Sequence, residues 1–103
     1  TGGLLESKKI ADLADLCLIP MCAHDTGSIV CNYATVQWAC AVRDFLAAET
    51  VIGRGGWMDD VILHDGPVVK DGHITLPDKP GLGIELNPDV VKAHLADGET
   101  YWS

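Results

Sequence analysis

Two short apolar runs in this chain each end on an ionisable residue. Leu18-Ile19-Pro20-Met21-Cys22-Ala23 runs into His24, and Phe45-Leu46-Ala47-Ala48 runs into Glu49. A strand covered on both faces reads as an unbroken apolar run, because neither side needs polar residues. That is the habit of parallel sheets. A helix-length stretch separates the two runs, so the order is strand, helix, strand. Parallel strands need such a crossover. Both ionisable residues would then reach the same rim of the sheet.

In α/β barrels, the rim at the carboxyl ends of the strands carries the chemistry. The pattern therefore predicts an α/β chain, a piece of a barrel with two ionisable side chains at its rim, followed by a C-terminal β-hairpin and a short helix. At 103 residues the chain holds at most one domain. A complete barrel needs about 200 residues or more. The chain is expected to be a fragment that carries two or three β/α units.

The periodicity predicts a first helix over residues 4–17. Leu5, Ile10, Leu13, Leu16 and Cys17 recur at helical spacing, with Glu6, Lys8, Lys9, Asp12 and Asp15 on the other side. Pro20 suits the entry to a strand over Met21 to His24. Asp25-Thr26-Gly27-Ser28 reads as a loop. Asn32 is the expected cap of a second helix over 33–44, apolar on most sides, which other protein would normally cover. Phe45 to Glu49 forms the second strand. Gly53-Arg54-Gly55-Gly56 reads as a flexible loop, with Trp57-Met58 placed to lid a site. Residues 67–76 read as a hairpin that turns at Asp71-Gly72. Asn87 and Pro88 open a last helix, with Val90, Val91 and Leu95 facing inward.

The formal charge of −8 argues against nucleic acid and anionic membrane, since phosphate is held by clustered Lys and Arg. No apolar run has membrane-spanning length. Cys17, Cys22, Cys31 and Cys40 form no C-x-x-C pair and sit among apolar neighbours. They read as small buried hydrophobes in a reducing, cytoplasmic compartment. Trp38, Trp57 and Trp102 read as packing anchors.

His24 is the first candidate for chemistry. Its imidazole exchanges protons near neutrality, so it serves either as a general acid or base or as a structural group bonded to a loop. Asp25 points away from His24 if the strand alternation persists, and is expected to cap a turn. Glu49 follows an apolar run. Desolvation there would raise its pKa and let it donate a hydrogen bond to a developing oxyanion. A solvated strand-end carboxylate is the alternative. His64, His73 and His94 lack metal-ligand spacing. Gly53-Arg54-Gly55-Gly56 lacks the Gly-Lys-Ser/Thr ending of a phosphate loop.

Leu5-Glu6-Ser7-Lys8-Lys9-Ile10-Ala11, Ile19-Pro20-Met21-Cys22-Ala23-His24, Glu49, and Pro77-Asp78-Lys79-Pro80-Gly81-Leu82-Gly83-Ile84-Glu85 together resemble the carboxy-terminal part of the mandelate racemase and muconate lactonising enzymes of the enolase superfamily. The resemblance spans nearly the whole chain and implies a partial (β/α)7β TIM-like barrel, comprising its last strands and helices. It implies a Mg²⁺-dependent enzyme that removes the proton beside a carboxylate, of the sugar-acid dehydratase or racemase kind. It implies that His24 matches the general acid or base of the seventh strand. Glu49 matches the eighth-strand carboxyl that bonds the substrate as it becomes an enediolate. Residues 1–60 would be barrel units. Residues 61–103 would return toward a capping domain. The metal carboxylates, the Lys base and the Asp that orients the histidine would lie on strands before Thr1. No metal ligand is therefore expected here. The alternative is an inert fragment that self-associates or binds a complementary amino-terminal part.

Overall fold

The computed structural model describes residues 1–52 and 56–102, so residues 53–55 of the expected glycine loop lie outside the described residues. The order is α1 (Leu4–Leu16), β1 (Met21–Ala23), α2 (Ile29–Ala39), β2 (Phe45–Ala48), a single 3-10 turn at Asp59–Val61, and α3 (Pro88–Ala93).

α1 ends in a tight C-terminal lock. The Leu18 N–H donates to the Asp15 carbonyl at 3.0 Å, and the Ile19 N–H donates to the Ala14 carbonyl at 2.9 Å. This is the Schellman arrangement, and its left-handed position (φ 57°) is filled by Leu18 rather than glycine. The turn redirects the chain into β1.

β1 and β2 pair in parallel with α2 as the crossover. Met21 faces Phe45, but Cys22 faces Ala47 and Ala23 faces Ala48, so one extra residue, Leu46, bulges from β2. The ladder closes with the Glu49 N–H donating to the Ala23 carbonyl at 3.0 Å.

The core lies on one side of α2. Ile29 and Tyr33 pack with Ile52, Ile62 and Val68, and Val61, Ile74 and Ile84 press against that cluster. The segment after β2 thus covers part of the helix that the sequence left for other protein to cover. Trp38, also buried, meets Phe45 edge-on with ring centroids 5.7 Å apart.

Several expectations fail for local physical reasons. α2 starts at Ile29 after Ser28, so Asn32 is not its cap. It lies within the first turn and is buried. The hairpin shrinks to one bridge, Lys70 with His73, whose two backbone hydrogen bonds are both 2.9 Å. Asp71 (φ 51°) and Gly72 (φ 76°) do make the tight turn, but the flanking residues pair with nothing further among the described residues. All four cysteines are free and exposed rather than buried. The apolar strands are not covered on both faces either: three of the four β2 residues are exposed, because the described sheet has two strands. Trp57 stacks on His94 with ring centroids 4.0 Å apart. Trp102 stacks on Tyr101 and remains largely exposed.

The expected last helix forms with Asn87 before it and Pro88 in its first turn. The Pro-Asp-Lys-Pro-Gly-Leu-Gly stretch folds back on itself. Gly83 (φ 76°) donates its N–H to the Pro80 carbonyl, and a Cβ on it would sit 2.8 Å from the Pro77 Cβ. Glycine is required there by both conformation and space.

Candidate active site at the strand ends

Because β1 and β2 run in parallel, their carboxyl ends open at one edge of the sheet. The residues after the last ladder pair, His24 and Glu49, stand side by side there. His24 Nε2 is 3.6 Å from Glu49 Oε2, which is ion-pair distance and too long for a direct hydrogen bond. The His24 side chain is 85% exposed and that of Glu49 49% exposed. Both can meet a small molecule. The desolvation of Glu49 expected from its apolar run is not supplied, since a two-stranded sheet leaves the carboxyl half open to water.

One residue further along, each strand points the other way, toward α2. Asp25 is buried, 3% exposed. Its carboxylate accepts the Thr35 hydroxyl at 2.7 Å and the Gly27 N–H at 3.2 Å. It is therefore the turn residue the sequence suggested, and no partner of His24. Burial pushes the Asp25 carboxyl up, but hydrogen bonds from Asn32, Thr35, Cys31 and the Gly27 backbone outweigh it. The group is held below the ordinary carboxylate value. The same contact, with burial as the larger cause, pushes the Cys31 thiol up. Thr50 donates its hydroxyl to Asn32 Oδ1 at 2.7 Å and accepts the Ile52 N–H at 3.1 Å.

Asn32 and Thr50 are the site residues that sequence reasoning missed. Asn32 was legible only as a polar residue in an apolar helix, a pattern that signals a buried hydrogen-bonding role as readily as a cap.

A cleft of about 440 Å³ lies between β2, α2 and the turn at Gly72. Glu49, Thr50, Asn32 and Ile74 line it, whereas His24 does not. His24 and Glu49 share an edge, but the described residues do not close a hollow around both.

The donor set does not fit magnesium. Mg²⁺ takes near-octahedral oxygen ligands at short distance. The edge offers one imidazole and one carboxylate, and no group of three His, Cys, Asp or Glu converges among the described residues. The other histidines serve local structure: the Nδ1 atoms of His64, His73 and His94 contact the carbonyls of Gly66, Asp71 and Val90. No helix among the described residues is long and apolar enough to cross a membrane.

Residues 1–90 match the enolase C-terminal domain-like family. Over 99 residues the chain is 41% identical to a D-xylonate dehydratase from Haloferax volcanii, covering 96% of this chain and 24% of that protein. Over 89 residues it is 29% identical to an L-rhamnonate dehydratase from Saccharopolyspora erythraea, covering 86% and 23%. The crystal structure of a mandelate racemase/muconate lactonizing enzyme-like protein from Rubrobacter xylanophilus superposes with a TM-score of 0.86 at 36% identity, covering 93% of this chain and 24% of that one. An enolase of the mandelate racemase subgroup from Agrobacterium tumefaciens gives a TM-score of 0.71 at 31% identity, covering 90% and 24%. The chain thus spans about a quarter of the length of these relatives.

Proposed function

We propose, from the premise that the chain belongs to the enolase C-terminal domain-like family, that it is the carboxy-terminal part of an enzyme acting on a sugar acid. It supplies two side chains for removing the proton beside the carboxylate and expelling water. The observation that carries this reading is the His24–Glu49 pair, 3.6 Å apart at the carboxyl ends of adjacent parallel strands. The dehydratase relatives point to the same class of substrate.

The roles follow from the chemistry of the two groups. His24 Nε2 either takes the proton from the carbon next to the substrate carboxylate or returns one to the departing hydroxyl. Imidazole does both near neutral pH. Glu49, in its acid form, donates a hydrogen bond to a carboxylate oxygen of the substrate as negative charge builds there in the enediolate. The half-exposed carboxyl must lose water for that bond to strengthen, so bound substrate or further protein has to cover this edge. In this reading the two strands are the last of a (β/α)7β barrel, and residues 61–103 lead back toward a capping domain. The Mg²⁺ that membership implies would be held by residues outside this chain, where it would supply charge to stabilise the enediolate.

The test joins the chain, in cis or as a separate polypeptide, to the amino-terminal part of a dehydratase relative, and assays a panel that includes D-xylonate and L-rhamnonate with Mg²⁺. Turnover should vanish in His24→Ala and fall strongly in Glu49→Gln. Full rate in His24→Ala would overturn the assignment.

A second reading has its own observation. Leu5, Leu13, Leu16, Leu18 and Leu46 are 65–89% exposed, and the described sheet has two open edges. A chain with these surfaces would self-associate or capture a complementary chain without catalysing anything. Sedimentation of the isolated chain as a monomer that binds no apolar dye would count against it.

A further inference from the structure

We propose that Asn32 is a positioning residue that fixes the separation of His24 and Glu49 by tying the segment after β2 to α2, which holds the segment after β1 through Thr35. The inference rests on the reading of His24 and Glu49 given above and adds the part that holds them. Neither ionisable side chain is locked by its own contacts: both are exposed, and the 3.6 Å between them is too long for a hydrogen bond. What fixes them must act through the backbone. Their chain neighbours, Asp25 and Thr50, turn inward and are both held by side chains of α2.

The contacts run through α2. The Ile52 N–H donates to Thr50 Oγ1 at 3.1 Å, and Thr50 Oγ1 donates to Asn32 Oδ1 at 2.7 Å. Three residues along α2 from Asn32, Thr35 holds the other segment through Asp25. Asp25 in turn accepts from the Thr35 hydroxyl and the Gly27 N–H. Asn32 and Asp25 are 2% and 3% exposed. Water therefore competes weakly, and leaving either unpaired is costly. The amide oxygen suits this place because the Thr50 hydroxyl approaches it as a donor. Leucine would leave that hydroxyl without its acceptor. Buried hydrogen bonds rigidify their surroundings, and small displacements of reacting groups cost rate steeply.

The experiment reads the coupling between the two ionisable residues without requiring turnover. In the full protein that carries this chain, the ring resonances of His24 are followed by NMR before and after Glu49→Gln, in the parent and in Thr50→Val, Thr50→Ser and Asn32→Ala backgrounds. The His24 ring should respond to Glu49→Gln in the parent and in Thr50→Ser, which keeps the hydroxyl. The response should be lost in Thr50→Val and Asn32→Ala. Should Asn32→Ala fail to fold, the Val and Ser pair at position 50 decides. Equal responses in all backgrounds would overturn the proposal, as would no response in the parent. With D-xylonate as the probe substrate, Thr50→Val should lower kcat by on the order of tenfold with KM little changed. Coupling that behaves as expected without sugar-acid turnover would leave the bracing role standing and sink the functional reading. Turnover that needs His24 but ignores Thr50→Val, with coupling intact, would do the reverse.

Discussion

Replacing Asp25 by asparagine should destabilise the fold at neutral pH and matter less in acid. The Asp25 carboxylate accepts hydrogen bonds from Thr35 at 2.7 Å and Gly27 at 3.2 Å, with Asn32 and Cys31 also bonding it. An asparagine keeps one oxygen but turns an NH₂ group toward donors. At least one charge-assisted hydrogen bond is lost, about 2 kcal/mol at a site this buried. For a domain of this size that lowers Tm by about 10 °C. The pH dependence carries the sign. A carboxyl held below its unfolded value of 3.8 contributes stability that is fully present above that pH. The contribution is lost as pH falls through the lower, folded-state value. Asparagine cannot titrate, and the other carboxylates titrate equally in both proteins. The stability gap between parent and Asp25→Asn should therefore be flat from neutral pH down to about 4 and narrow below it. Urea melts of both proteins across that range measure it. A gap of the same size at the acid end, or no gap at neutral pH, would refute the claim that the ionised carboxylate organises this loop.

Two further substitutions probe the elements that deliver the chain to the site. Leu18→Gly should raise stability by up to about 1 kcal/mol, since a non-glycine residue in the left-handed region is strained and the 89% exposed side chain packs on little. A lower Tm in a thermal melt would show that the leucine is held by something worth more than its strain. Gly27→Ala should cost about 1–3 kcal/mol in a denaturant titration, because the added Cβ would meet the Cys31 Cβ at 2.9 Å. Cys31→Ala should not rescue it, as the crowding is with the β-carbon. Full rescue would place the clash at the sulfur instead.

The legible parts of the fold were those that local chemistry decides. α1 follows from its apolar spacing, α3 from Asn87-Pro88, and the Asp71-Gly72 turn from the tolerance of those residues for positive φ. The two apolar runs marked the strands, and their parallel pairing followed from the helix between them. What stayed hidden depends on partners distant in sequence. The preference of asparagine for caps is real, but Asn32 finds Thr50 eighteen residues away, and no local pattern encodes that bond. The turn at Asp71-Gly72 could not say how many pairs would follow it. The cysteine and strand burial expected from composition requires covering layers, which the described residues do not provide. The position of His24 and Glu49 at strand ends could be read from the sequence, but their distance could not, because it depends on register.

That register turns on Leu46. Starting from Met21 opposite Phe45, an unbroken ladder would set Cys22 against Leu46, Ala23 against Ala47 and His24 against Ala48. Glu49 would then lie opposite Asp25 rather than His24. The extra residue in β2 moves the pairing to Ala23 with Ala48, which brings Glu49 level with His24 and Thr50 level with Asp25. A one-residue slip exchanges the two faces of a strand, so the bulge decides two things together. It sets the two ionisable groups side by side at the strand ends, and it sets both hydrogen-bonding neighbours within reach of α2, where Thr35 meets Asp25 and Asn32 meets Thr50. Bulges next to sites commonly re-aim a side chain. Here the re-aiming and the bracing are one geometric event, so the exposed pair and the buried network stand or fall with the same ladder.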